Sequence, residues 1–257
     1  MHYHHIWQHD SAYWQTISKQ TIRDGYILYT NPQLPTRYDP NHAGMFRMQH
    51  INDAINAIDD VIAFYEALGC DSVVYLDNYA TPDALADTLI QRGFTAMAEW
   101  GITDLLVLAQ PVYAAHNPRI SVMPVSTHDQ RLQWASLEDT NPHSPAAEMH
   151  ALRMEELRDP AVQGYIAYLD GQPAGRCLTF IHDNICRIEA VFVAEEKRRQ
   201  GVAKQLVGQA IADVYGKVDT VYLFAIHDYH AITLYQALGF RTVMHNVTMT
   251  YVRPRAE

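Results

Sequence analysis

The stretch Ile188-Glu189-Ala190-Val191-Phe192-Val193-Ala194-Glu195-Glu196-Lys197-Arg198-Arg199-Gln200-Gly201-Val202-Ala203-Lys204-Gln205-Leu206-Val207 constrains this chain more than any other. Its opening, residues 188–193, is β-branched and aromatic without Gly or Pro, and reads as a strand. The apolar positions Val202, Leu206, Val207, Ala210 and Ile211 recur at helical spacing, so a charged loop leads into a helix whose first turn is read over residues 198–203. The first amides of such a helix have no partner within it, and the macrodipole places partial positive charge where they point. Gly201 and Ala203 leave the backbone approachable, while Lys197, Arg198, Arg199 and Lys204 add formal positive charge. The expected ligand of that turn is a diphosphate. Neither a Gly-Lys-Ser/Thr loop nor Gly-x-Gly-x-x-Gly is present, so a nucleotide P-loop and a dinucleotide fold are excluded.

Arg198, Gly201 and Ala203 satisfy Arg/Gln-x-x-Gly-x-Gly/Ala. Downstream, residues 222–226 read as a strand, and Ala231-Ile232-x-Leu234-Tyr235-x-x-Leu238-Gly239-Phe240 as a helix entered at Asp228 and closed by Gly239. Two motifs in this order and spacing resemble the GNAT family of acyl-CoA-dependent N-acyltransferases. That resemblance implies acetyl-CoA as cosubstrate, with its diphosphate on Arg198, Arg199, Gln200, Gly201, Val202, Ala203 and Lys204. The pantetheine would lie along the backbone of Val191, Phe192 and Val193, and Tyr235 would donate a proton to the departing sulfur. Asp228 replaces the family's usual asparagine before the second helix. Candidates for the base that relieves the amine of its proton are Glu189 and His227. His227 has the suitable reference pKa; Glu189 sits on the strand that would carry the thioester.

The implied reaction moves an acetyl group to a primary amine of a small molecule or peptide by direct transfer in a ternary complex. No Cys or Ser sits in a nucleophile motif. A non-catalytic acyl-CoA-binding sensor or scaffold is the alternative. The net charge of −10 speaks against nucleic acid and suits a cationic acceptor. No apolar run approaches the length of a membrane span and the N-terminus lacks signal-peptide features, so a cytoplasmic protein is expected, as monomer or homodimer. His2, His4, His5 and His9 crowd the N-terminus without a ligand motif, so that segment is read as polar and no metal is expected. Cys70, Cys177 and Cys186 read as reduced packing residues.

The expected fold class is α/β (α+β), in two GNAT-like domains, each a mixed, mostly antiparallel twisted sheet flanked by helices. Helices are read over residues 10–23, 51–68, 82–91, 129–138 and 144–157, and strands over 26–30, 73–76, 119–125, 162–169, 175–181 and 241–252. Gly93-Phe94 and Gly239-Phe240 lie at an offset of 146 residues (239 minus 93), and the same shift lays the strand at 74–76 near that at 221–223. The first copy has Ile51-Asn52-Asp53-Ala54-Ile55-Asn56 where the second has its basic loop, and Leu89 where the second has Tyr235. Residues 1–115 therefore read as a degenerate copy and 119–257 as the acetyl-CoA-binding copy, joined by a proline-bounded linker over 110–118.

Overall fold

A computed structural model describes residues 4–48, 50–77, 85–98, 101–113, 115–137 and 145–255, with residue 51 as main chain only. In chain order these form α1 (His4–Trp14), β1 (Lys19–Arg23), β2 (Tyr26–Thr30), β3 (Ala43–Gly44), α2 (Ile51–Ala67), β4 (Ser72–Asp77), α3 (Leu85–Gln91), β5 (Thr95–Ala96), β6 (Ile102–Leu108) and β7 (Ile120–Pro124). They continue as α4 (His128–Ser136), α5 (Ala146–Glu156), β8 (Val162–Leu169), β9 (Gln172–His182), β10 (Ile185–Val193), α6 (Val202–Val214), β11 (Thr220–Ile226), α7 (Ala231–Ala237) and β12 (Phe240–Arg253). Residues 82–84, 138 and 144 of the expected helices lie outside the described residues. None of the described helices is long and apolar enough to cross a membrane.

The chain forms two compact units. The N-terminal unit is Ser11–Asp104 with Met244–Glu257; the C-terminal unit is Met1–Asp10 with Leu105–Val243. The expected break at 115–119 follows the chain, whereas these units take segments from both ends of it. Each is a mixed, largely antiparallel sheet flanked by helices. In the N-terminal unit the strand order is β1-β2-β3-β4-β12, with β5 on β12; in the C-terminal unit it is β6-β11-β10-β9-β8-β7.

The two units share a pairing series. β1 with β2 and β2 with β3 are antiparallel, and β3 with β4 is parallel. Likewise β8 with β9 and β9 with β10 are antiparallel, and β10 with β11 is parallel. Each series continues through a short helix, α3 or α7, of 7 residues.

Each unit has its own core. One face of α6 buries Val202, Leu206, Val207, Ala210, Ile211 and Val214 against Cys177, Cys186, Ile188, Leu223 and Tyr235. The helical spacing that signalled α6 is thus the spacing of its buried side chains, of which each Val, Leu and Ile contributes roughly 1.5–3 kcal/mol. In the N-terminal unit α2 does the same through Ala54, Ile58, Val61 and Tyr65. All three cysteines are free and buried, and burial pushes the Cys186 thiol up to about 12.

Several expected boundaries are corrected. The helix read over 10–23 is α1 at His4–Trp14 followed by the strand β1. Ile6, Trp7, His9 and Tyr13 form its buried face, and a reading that counts His9 as polar misses that face. α4 starts at His128 because Thr127 and Gln130 form a capping box, with Gln130 N donating to Thr127 Oγ1 at 3.2 Å. β6 has no counterpart among the expected strands, and the expected closing strands are the single strand β12. The start of the expected linker is held, since Ala109 N donates to Gly239 O and Val112 N to Leu238 O, both at 3.0 Å.

The expectation of a merely polar histidine cluster fails at His9, which is 3% exposed. Its Nε2 donates to the Ile185 carbonyl at 3.0 Å, and its Nδ1 therefore accepts from the Tyr222 hydroxyl at 3.0 Å. Burial, assisted by the nearby Arg187 charge, lowers its pKa to about 4. Folding thus favours the neutral ring, so stability is complete above the unfolded value near 6.5 and falls as pH drops from there toward 4. His9→Gln is expected to remove on the order of 3 kcal/mol of pH dependence in that window, measured as chemical denaturation midpoints against pH. Gly239 has φ +100°, and a Cβ there would meet the Gln110 carbonyl oxygen at 1.8 Å. Gly239→Ala should cost about 2–4 kcal/mol in the same assay.

Candidate functional site

The site begins where two parallel strands part. β10 pairs with β11 only from Ile185 to Arg187, although both strands run on, to Val193 and Ile226. On its other edge β10 stays with β9, but the register shifts between Glu189 and Phe192. Ala190 sits in that shift with φ 56°, a left-handed residue that bends the strand. Gly175 opposite makes room, since a Cβ there would lie 2.7 Å from the Phe192 carbonyl oxygen.

β10 ends at a 3₁₀ turn, Glu195–Lys197, and the loop then reaches α6. Arg199 (φ 59°) and Gly201 (φ 87°) are both left-handed. α6 starts at Val202, later than the turn read over 198–203, with Gly201 as N-cap and no side-chain cap. The first amides of α6 therefore lack a capping oxygen from their own N-cap residue.

Strand edge and helix start face one cavity of about 900 Å³. Val191, Phe192, Val193, Arg198, Arg199, Gly201, Val202, Ala203, Lys204 and Tyr235 line it, together with Glu195, Lys197, Tyr229, His230, Ala231 and Leu234. Four expected site residues do not. Gln200 turns back to donate to the Glu196 carbonyl at 3.3 Å. Asp228 is exposed, with φ 55° and its carboxylate 3.5 Å from His227 Nε2. α7 starts three residues after it, with His230 rather than Asp228 as N-cap and no side-chain cap. That later start brings Tyr229 and His230, in ring contact at 4.0 Å, to the cavity wall. Reading Asp228 as the cap concealed them.

Glu189 and His227 are also outside the lining. Glu189 Oε2 accepts from Arg187 Nε at 2.9 Å and Nη2 at 2.5 Å, while its Oε1 accepts the Ala190 N–H at 3.1 Å. The same buried Arg187 is paired with Asp10 of α1 and lies 5.4 Å from the Phe224 ring centre. Spacing along the strand gave no sign of this clamp, which joins residues 177 positions apart. With two carboxylates on one guanidinium, loss of either still leaves the buried Arg187 charge a partner.

Tyr235 is 7% exposed and edge-on to Phe240 at 6.1 Å. Burial, then the Glu189 charge, pushes its hydroxyl pKa well above the ordinary tyrosine value. The phenol stays protonated at neutral pH. The cavity thus combines a bare strand edge, an uncapped helix start under four basic side chains, and a protonated phenol. Such an arrangement can hold an extended, amide-bearing chain with a phosphorylated end.

Residues 130–240 match the acetyltransferase (GNAT) family. No curated protein matches the sequence. Among solved structures, the chain is similar to a functionally unknown conserved protein from Staphylococcus epidermidis, with TM-score 0.69, 16% identity, and coverage of 93% of this chain and 95% of that one. It is also similar to a GCN5-related N-acetyltransferase from Kribbella flavida, with TM-score 0.68, 15% identity, and coverage of 96% and 93%. A tandem GNAT protein from the clavulanic acid biosynthesis pathway, solved without AcCoA, aligns with TM-score 0.56, 15% identity, and coverage of 82% and 74%. At these identities the likeness is one of fold.

Proposed function

We propose that the protein is an acetyl-CoA-dependent N-acetyltransferase acting on a primary amine of a small molecule or peptide. The observation that carries this reading is the cavity shared by the bare β10 edge and the uncapped start of α6. A diphosphate fits there because main-chain donors and the charges of Lys197, Arg199 and Lys204 converge on one place. Arg198 serves the loop, its Nε donating to the Val193 carbonyl at 3.0 Å. Val191 and Val193 present main-chain groups suited to the amides of a pantetheine arm. Bound acetyl-CoA supplies an activated acetyl thioester.

Tyr235 supports departure of the thiolate as a hydrogen-bond donor. A reference thiol titrates near 8.5 and a phenol near 10, so complete transfer from this raised phenol to sulfur is uphill, while donation stabilises the developing charge. For the amine's proton, Glu189 is close enough to Tyr235 to affect its titration, and it acts through water with Arg187 still bound. His227 is the second candidate for that proton.

The same reading takes the chain as a tandem of two copies, the N-terminal one degenerate. The shared pairing series supports it, as do the left-handed residues that follow the parallel pairing in both units, Met45 after β3 and Ala190 in β10. In the N-terminal unit Arg47 spans from beyond β3 to Asp77 at the end of β4, with Nη1 2.9 and 3.0 Å from the two carboxylate oxygens. On this reading the N-terminal unit holds no second cofactor site, so one CoA per chain is expected.

Titration calorimetry with CoA should give a stoichiometry of about one per chain, and Gly201→Glu should abolish the heat by adding bulk and negative charge at a left-handed position. Binding retained in that variant overturns the diphosphate assignment. Tyr235→Phe should lower turnover by about 10²-fold with CoA affinity unchanged, measured as thiol release with a panel of primary amines. Tight CoA binding with no thiol release from any amine would instead mark a sensor or scaffold.

A further inference from the structure

Arg176 stands where β9 calls for an apolar side chain. The strand is buried from Ala174 to Phe180, and Arg176 itself is 2% exposed. A guanidinium withdrawn from water must be given acceptors, and a fork of five fixed donors dictates where they lie. Nε donates to the Leu137 carbonyl at 2.5 Å, beyond the end of α4. Nη1 donates to the Ala190 carbonyl at 3.2 Å, on the bulge of β10. The planar group lies 4.6 Å from the Trp134 ring centre and 5.7 Å from that of Phe192, and Trp134 is fixed in turn by donating to the Cys177 carbonyl at 2.9 Å.

The consequence lies one peptide further on. Ala194 N donates back to β9, to the Ala174 carbonyl at 3.0 Å. Successive residues of a strand turn their main-chain groups to opposite edges, so Val193 and Val191 turn theirs to the edge that β11 has left. The bond from Arg198, a cavity residue, to the Val193 carbonyl agrees with that direction. A trans peptide holds its C=O and N–H on opposite sides. Drawing the Ala190 carbonyl toward Arg176 therefore drives the Val191 N–H the other way, into the cavity that Val191 lines.

We infer that Arg176 is a positioning residue for acyl transfer: through the Ala190 carbonyl it aims the Val191 N–H at the carbonyl oxygen of a bound thioester. This rests on the acetyl-CoA reading above. A donor fixed in advance at that oxygen stabilises the charge that gathers there as the amine nitrogen bonds to carbon and the carbon–sulfur bond breaks. The amine's proton leaves to the acceptor already described, and the electron pair of the broken bond leaves with sulfur. Arg176 touches none of the reacting atoms, so its effect is on the direction of one amide.

The test follows the Val191 amide resonance in protein labelled with ¹⁵N-valine, titrated with CoA and separately with acetyl-CoA. In the wild type, acetyl-CoA should move the Val191 amide proton downfield and CoA should not, because only the acyl compound carries the accepting oxygen. In Arg176→Met that difference should vanish, with acetyl transfer falling about 10-fold or more while CoA affinity changes less than about 3-fold. A variant that only loosens the fold would lose CoA affinity and melting temperature together. Arg176→Lys, which keeps the charge but loses the fork, provides the same comparison if the methionine variant does not fold. A Val191 resonance that responds equally to both ligands in the wild type, or a difference that survives in the variants, overturns the inference. If the wild type binds neither ligand, the acetyl-CoA reading itself falls; if it binds CoA yet Val191 does not distinguish the two, only the role of Arg176 falls.

Discussion

The parting of β10 from β11 after Arg187 is the constraint on which the site depends. Parallel neighbours ordinarily satisfy each other's backbone groups along their whole length, and donors left without a partner are costly once shielded from water. Here the ladder stops after Ile185–Arg187, and the left-handed Ala190 turns the rest of β10 out of register with β9. The fold supports that break from both sides. Arg176 holds the carbonyl of the bulge, Gly175 yields space to the returning strand, and Arg187 ties Glu189 and Asp10 together at the point of divergence. A strand edge kept bare in this way is a preformed hydrogen-bonding template.

Electrostatics adds a second layer that the overall charge conceals. The chain carries a net charge of −10, yet Lys197, Arg198, Arg199 and Lys204 all line one cavity, with Glu195 as the carboxylate among its lining residues. The start of α6 contributes partial positive charge at the same place. A local field of this kind governs what an anion meets, while the net charge governs solubility and long-range steering. Tyr235 and Leu234 line the same cavity, and burial raises the Tyr235 phenol further above its ordinary value. One cavity thus offers a cationic cluster suited to an anion and a neutral hydrogen-bond donor.

The two units show how a shared strand pairing meets different ends. Both have a parallel pair followed by a left-handed residue, Met45 in one and Ala190 in the other. In the N-terminal unit Arg47 reaches Asp77, and Asp53 lies in the first turn of α2. In the C-terminal unit the corresponding turn is Gly201, Val202, Ala203 and Lys204, with no acidic side chain in it. The side chains at the strand ends and the helix start thus differ between the two units.

Much of this was legible in the chain itself. The strand at 188–193, the helical face of α6 and the basic turn between them follow from local spacing and charge, because they depend on residues a few positions apart. The 17 residues of α2 and the strands β8 and β9 were readable for the same reason. What only the tertiary structure decided are pairings between distant residues: Arg187 with Asp10, Arg176 with the Ala190 carbonyl, His9 with Tyr222, and Gly239 against Gln110. Such pairs leave no periodic trace, since a buried polar side chain is defined by the partner that satisfies it rather than by its neighbours in sequence. The start of α7 at Ala231 and the removal of Gln200, Glu189 and Asp228 from the cavity wall belong to the same class. Local spacing names the elements of a site, and long-range packing selects which of their side chains face it.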